Sequence, residues 1–261
     1  ARRVRRILAD PAQWAGLAEP VQAWLAEQQR RSVMPGPDGL LVESFPRGRG
    51  KQVRHFTVAY CFEGRNAHQT LGMLLTRRLE RARLNPLGFV ANDYGLAAWC
   101  LSDLDAAIAT DRLSINGLFG QDMLGDDLEE WLAESALMKR SFRQCAIIAG
   151  LIERRFPAQE KSQRQVTMST DLVYDVLRRH EPQHLLLRAA RADAATGLLD
   201  LARLAGMLGR IEGRITHQPL ERLSPQSIAV MLEIGRELVY GEASEAILAD
   251  AEASLVEEAM G

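Results

Sequence analysis

The sequence predicts an α+β protein: a small mixed β-sheet module followed by a mostly helical, winged-helix-like region. Three observations lead there. Apolar residues recur at helical spacing over most of the 261 residues. Between residues 40 and 100 that period drops to 2, the signature of strands. From Ser169 to Leu220 several helical stretches precede a single alternating one, the element order of a winged helix; a plain helical bundle is the alternative. The division expected from this is an α+β module with N-terminal helices over residues 1–105 and a helical, winged-helix-like region with an acidic C-terminal helix over 106–261.

Residues 2–31 read as two helical stretches, interrupted at Asp10-Pro11 because the residue before a proline avoids the helical region. Pro35-Gly36-Pro37-Asp38-Gly39 is a turn. Leu40 to Phe45 is a short apolar strand. Arg47-Gly48-Arg49-Gly50-Lys51 is a basic loop, and Phe56, Val58, Tyr60 and Phe62 alternate as a second strand. A helix is expected from His68 to Arg83. Leu87 to Val90 and Tyr94 to Cys100 are strands split at Asn92-Asp93. Helices follow at Gln121–Leu132, Ala136–Phe156, Ser169–Arg179, Gln183–Ala195 and Asp200–Gly209, with a polar, mobile loop expected over Gln159–Gln165. Arg214 to Leu220 alternates as a strand, Ser224-Pro225 opens a helix, and a last, acidic helix runs from Ser244.

The composition, 47% hydrophobic and 25% charged, is that of a globular protein and excludes disordered and collagen-like classes. No apolar run reaches the roughly 18 residues that a membrane helix needs. The opening residues lack a secretion leader, and a chain that begins at Ala1 inside an arginine-rich helix reads as a piece of a longer protein. Cys61, Cys100 and Cys145 stand apart without a CxxC pair. Plain buried thiols in a reducing cytoplasm are expected, not a disulfide framework or zinc site.

The net charge of −2 conceals blocks. Residues 1–100 carry 15 basic and 8 acidic side chains, 101–139 carry 2 and 9, 140–191 carry 10 and 5, and 192–261 carry 5 and 12. Residues 237–261 hold seven acids and neither Lys nor Arg. Such asymmetry points to separate surfaces. Of the 32 basic residues 29 are arginine. Arginine suits bidentate phosphate contacts, and a GC-rich genome gives the same bias.

Two helices carry the sharper signal. On the first, Leu71, Leu75 and Leu79 form the apolar arc. Arg77 and Arg81 lie beside it, and Arg78 falls within it, where it needs an acidic partner such as Glu63 or Asp93. On the second, Leu137, Cys145, Ile148, Ile152 and Phe156 are the expected buried face, with Arg140, Arg143 and Arg154 along another side; Lys161 and Arg164 follow in the polar loop. A basic stripe of that length suits the phosphates of one nucleic-acid strand, and a solvated face is the alternative. Asp122, Asp126, Asp127, Glu129 and Glu130 lack a third ligand at a fixed offset and read as a helix's first turn. Pro182 breaks the spacing of His180 and His184, so no metal is assigned.

The run from Phe62-Glu63-Gly64-Arg65-Asn66-Ala67-His68-Gln69 to Arg81 resembles the DEAD/H-associated region of Lhr-type helicases, in particular the ligase-associated DEXH-box branch. So do Pro86–Val90 with Asp93-Tyr94, Asp122–Leu128, Glu134–Arg143, Leu177–Pro182 and Leu185–Arg191. The resemblance implies an accessory domain, similar to tandem-winged-helix DNA glycosylase-like proteins, of a 3′–5′ DNA helicase acting in repair. Its implied partners are single-stranded DNA or an RNA:DNA hybrid, the motor lobes of the same chain, and a neighbouring ligase or nuclease. The nucleic-acid contacts expected are Arg65, Arg77, Arg81, Arg140, Arg143, Arg154, Lys161 and Arg164. ATP and magnesium belong to the motor, and no cofactor is expected in these residues. A protein-interaction or scaffold module docking on the motor lobes is the alternative function, with the acidic C-terminal helix as its contact surface.

No GxxxxGK[ST] loop, GxSxG elbow or HExxH pair occurs. These 261 residues alone are therefore expected neither to hydrolyse ATP nor to unwind DNA, and a DNA-stimulated ATPase assay on the purified chain checks this.

Overall fold

The computed structural model describes residues 2–134, 136–151, 155–156, 159–160, 163–197, 200–238 and 256–258. They divide into two compact units, residues 1–123 with 200–261, and residues 124–199. This differs from a break at 105/106, because the strand at 215–219 joins the sheet built by residues 40–100.

The first unit starts with α1 (Arg2–Ala9), a short 3-10 turn opened by Asp10 and Pro11, and α2 (Glu19–Arg31). Then come β1 (Leu40–Arg47), β2 (Arg54–Tyr60), α3 (Arg65–Arg81), β3 (Pro86–Ala91) and β4 (Leu96–Cys100). Two short helices follow, α4 (Leu104–Ala109) and α5 (Ile115–Leu118). The second unit contributes α6 (Asp126–Glu134), α7 (Ala136–Ile148), the two-residue strands β5 (Arg155–Phe156) and β6 (Gln159–Glu160), α8 (Gln163–His180) and α9 (Leu185–Gly197). The chain returns to the first unit with α10 (Leu201–Ile211), β7 (Ile215–Pro219) and α11 (Ile228–Leu238).

The sheet has the order β3-β4-β2-β1-β7. Its first four strands pair antiparallel, and β7 lies parallel to β1, with Val42 opposite His217. The strand expected to be a wing is thus an edge strand of this sheet. Successive side chains leave a strand on opposite faces. On one face Phe45, Phe56, Val58, Tyr60 and Val90 pack with Val230 and Met231 of α11. On the other, Gly72 of α3 lies against Phe89, where a Cβ would overlap the ring. The predicted leucine arc of α3 is buried: Leu71, Leu74, Leu75 and Leu79 are all at 0% exposure.

Within the core lies a polar knot. Glu43 of β1 is fully buried, and its carboxylate accepts from Gln28 Nε2 at 2.9 Å, the Tyr60 hydroxyl at 2.6 Å and the Ser224 hydroxyl at 2.5 Å. Gln28 Oε1 in turn accepts from the Gln226 backbone N–H at 2.8 Å. Burial, and then the adjoining Glu43 carboxylate, push the Tyr60 phenol well above its usual range. Cys61 and Cys100 are buried thiols, as their apolar settings suggested; burial pushes them up to about 12 and about 11.

Several helices end at left-handed residues. After α3, Arg83 has φ +59°, Leu84 N–H donates to Leu79 O and Arg83 N–H to Glu80 O. The same double bond closes α7, where Gly150 has φ +69°, Leu151 N–H donates to Ala146 O and Gly150 N–H to Ile147 O. That stop corrects the expected helix to Phe156, and the expected polar loop at 159–165 is replaced by β6 and the start of α8. The buried face of α7 also differs from expectation. Met138, Phe142 and Ala146 pack with Tyr174, Leu187 and Ala190, whereas Ile148 is 85% exposed. Ile152 lies outside the described residues, as does the acidic C-terminal helix except at 256–258.

Deleting one donor of the knot without altering its volume leaves a buried carboxylate short of a hydrogen bond. Tyr60→Phe is expected to lower stability by about 1.5–3 kcal/mol, read from urea unfolding.

Candidate nucleic-acid interface

An arginine-lined cavity forms where the β2–α3 loop meets the β3–β4 turn beneath α1 and α10. It has a volume of about 630 Å³ and is lined by Arg2, Arg3, Phe62, Glu63, Gly64, Asp93, Tyr94 and Arg203. The loop that floors it is held in an unusual backbone: Phe62 has φ +58° and Gly64 φ +93°, so two left-handed residues flank Glu63. With ψ at 153°, Gly64 occupies a region that only glycine enters readily.

His68 holds that loop from inside the core. The ring is fully buried; Nδ1–H donates to Asn92 O at 2.6 Å, and Nε2 accepts the Glu63 backbone N–H at 3.0 Å. Those partners require one neutral tautomer. Burial lowers its pKa from the ordinary 6.5, against the upward pull of Asn92 and nearby acids. Asn92 fixes the facing turn, accepting from Tyr94 and Gly95 N–H and donating to Ala229 O at 2.9 Å.

Glu63 is the buried counter-charge. Its side chain is 3% exposed and meets Arg2 Nη2 at 3.0 Å and Arg210 Nη2 at 2.8 Å, while its carbonyl accepts from Arg203 Nη1 at 2.9 Å. Arg5 donates to Gly36 O and Gly39 O at 3.0 and 2.9 Å and braces α1 against the turn. Burial, then Arg210, lower its pKa. In the lining Arg2, Arg3 and Arg203 outnumber Glu63 and Asp93, so the cavity keeps a positive surplus. Tyr94, 41% exposed, lies edge-on to Phe62 with centroids 6.4 Å apart. Guanidinium groups beside an accessible aromatic ring can hold phosphates and stack a base.

Only one expected contact borders this cavity. Arg65 opens α3; its N–H donates to Asp93 Oδ1 at 3.1 Å and its guanidinium pairs with Glu233 at 3.0 Å. Arg77 is half-buried and Arg81 exposed near the far end of α3, so Arg65 and Arg81 lie about 24 Å apart along the helix. Arg78 has the acidic partner its position required, but it is Asp122, at 2.7 Å, with a second bond to Gly117 O. Asp122 and Asp126 belong to separate elements, a 3-10 turn and α6. In the second unit Arg140 is exposed, and Arg143 pairs with Asp171 at 3.2 Å, so the stripe is not three open guanidinium groups. Arg154 and Lys161 fall outside the described residues, and Arg164 lies in the first turn of α8. Sequence reasoning missed Arg2, Arg3, Arg203 and Tyr94. The arginine-rich opening of the chain and Asp93-Tyr94 were visible, but nothing local joined them.

Ser44, Asp105 and His217 also meet, yet not as a catalytic relay. The hydroxyl at 2.9 Å and the carboxylate at 3.1 Å both contact Nε2 of the ring, where a relay needs the two nitrogens shared between them. The trio clasps β1, β7 and α4.

Fold and site together define an α+β module with an arginine-lined cavity beside an exposed tyrosine. The sequence matches the DEAD/H associated family over residues 34–227, well over half of the chain, and the chain belongs to that family. The fold is similar to that in the structure of Mycobacterium smegmatis helicase Lhr bound to ssDNA and AMP-PNP, with a TM-score of 0.58 at 20% identity. The match covers 92% of this chain and 29% of the helicase chain, so these residues span less than a third of that protein. No curated protein matches the sequence.

Two outcomes test the loop. Gly64→Ala is expected to destabilise the protein by about 1–3 kcal/mol, measured by denaturant unfolding. Because the folded-state pKa of His68 is depressed, unfolded chains take up its proton first. Stability should fall as pH drops below 6.5, with a shallower slope in His68→Gln, read from unfolding across pH 7 to 5.

Proposed function

We propose that this chain is a nucleic-acid-binding accessory domain of an ATP-dependent, 3′–5′ DNA helicase of the Lhr type, contributing to the path of single-stranded DNA. The observation that carries the reading is the cavity in which Arg2, Arg3 and Arg203 surround an exposed Tyr94. Family membership and the fold shared with a helicase bound to single-stranded DNA support it. Contacts to phosphates and stacking on Tyr94 make such binding weakly sequence-specific and strongly salt-dependent. Arg65 borders the cavity, and Arg77, Arg81, Arg140, Arg143, Arg154, Lys161 and Arg164 belong to the proposal as further contacts. The motor, with ATP and magnesium, lies elsewhere in the parent protein. A role in DNA repair in the cytoplasm, with an RNA:DNA hybrid as a second substrate and a ligase or nuclease as partner, completes the reading. No helix among the described residues is long and apolar enough to cross a membrane.

One observation favours the scaffold reading. Met168, Leu172 and Val176 of α8 form an i, i+4, i+8 apolar row, 66%, 67% and 49% exposed. A row of that kind suits a protein partner.

Fluorescence anisotropy of labelled oligo-dT separates the two. Tyr94→Ala is expected to weaken binding by about 1–3 kcal/mol, and Arg3→Gln to flatten the salt dependence by about 0.7. Binding unaffected by either change, but lost on replacing Leu172 and Val176 by Ser, would favour the scaffold.

A further inference from the structure

The β1–β2 hairpin ends in an electrostatic conflict. The register sets Arg47 directly opposite Arg54, the last pair of the ladder. Like charges facing each other across two strands repel. The connecting turn adds Arg49 and Lys51. It is drawn tight at Gly48, whose φ is +112° and where a Cβ would strike the Gln52 carbonyl. Arg49 has no acidic partner among the described residues. Beneath the tip opens a second cavity of about 630 Å³, lined by Arg47, Gly48, Arg49, Gln52, Arg54 and Phe56. That volume holds a nucleotide-sized group.

One anion already reaches this cavity. Glu258 lines it, and its carboxylate meets Arg47 Nε at 3.0 Å while its backbone carbonyl accepts from Arg31 Nη1 at 3.2 Å. Arg47 and Glu258 remain 37% and 30% exposed, so the pair sits at the rim and can exchange partners. Glu258 belongs to the stretch 237–261, which carries seven acids and no basic residue. A carboxylate on a guanidinium presents two oxygens in the plane that a phosphate would use.

We propose that the mouth of the β1–β2 hairpin is a phosphate-binding site for a nucleic-acid strand, distinct from the Tyr94 cavity, and that Glu258 occupies it as an internal stand-in which the strand must displace. The inference rests on the reading that the chain binds nucleic acid. The hairpin supplies three guanidinium groups, and the acidic residue sets a threshold: a strand long enough to bring several phosphates outcompetes a single carboxylate, whereas a mononucleotide does not.

The test is anisotropy of labelled dT12 with the full 261-residue chain. Glu258→Gln removes the competing carboxylate from Arg47 at nearly constant side-chain size. Affinity should rise about two- to fivefold, the range of one exposed ion pair, and the salt dependence should steepen by about 0.7. Arg47→Gln breaks the same ion pair but removes the cation, so it should bring no gain, and in the double variant it should cancel the gain of Glu258→Gln. Arg49→Gln in the Glu258→Gln background should lower affinity again. If Glu258→Gln leaves binding unchanged, or moves it in the same direction as Arg47→Gln, the contact is only a tether and the inference falls. Arg3→Gln and Tyr94→Ala, measured alongside, separate that failure from failure of the first reading: they weaken binding if the Tyr94 cavity is used, whatever Glu258 does. Absence of binding by every form overturns both.

Discussion

The first unit is organised around a carboxylate that water never reaches. Glu43 sits in the middle of a central strand, and a charge there is tolerable only if several donors converge on it. Three do, from α2, from β2 and from the turn before α11. Each comes from a different part of the chain, so the requirement to satisfy one side chain also sets where those elements lie. Gln28 extends the constraint by receiving Gln226 N–H, which places the turn leading into α11 over the sheet. Apolar packing of Phe45, Phe56 and Met231 is permissive by comparison, since such contacts tolerate small slides. Hydrogen bonds to a buried charge do not.

The same logic recurs at the arginine-lined cavity, with charged instead of neutral donors. There the buried group is again a carboxylate, Glu63, but cations surround it. Its backbone is held by a neutral imidazole. His68 joins the loop before α3 to the β3–β4 turn, so the two walls of the cavity are set by one ring. A helix N-terminus, an aromatic ring and several guanidinium groups are thereby presented together.

Much of this was legible in the sequence where the signal is local. Alternation marked β2 and β7, a short apolar run marked β1, Asn92-Asp93 marked the break between β3 and β4, leucine spacing marked α3, and Arg78 announced its need for an acid. Three features escaped for physical reasons. A parallel pairing such as β1 with β7 leaves no mark in either strand, because parallel partners share no turn. On α7 the apolar period ran on through Ile148 and Ile152, while Gly150, free to adopt a left-handed backbone, ended the helix first; the true face, Met138–Phe142–Ala146, is displaced by one residue from Leu137–Cys145. The cavity residues Arg2, Tyr94 and Arg203 come from three distant segments, so no window of sequence contains them together.

The partnership of β7 with β1 also orders events in time. The edge of the sheet at β1 stays open until residues 215–219 have been made, after the whole of the 124–199 unit. That unit has its own core and can condense while the ribosome is still producing the rest. Closing the sheet means joining segments some 170 residues apart, a contact whose entropy cost shrinks once the intervening stretch is already compact. The inserted unit thus shortens the search that completes its host, and a newly made chain carries an unpaired strand edge until that search ends.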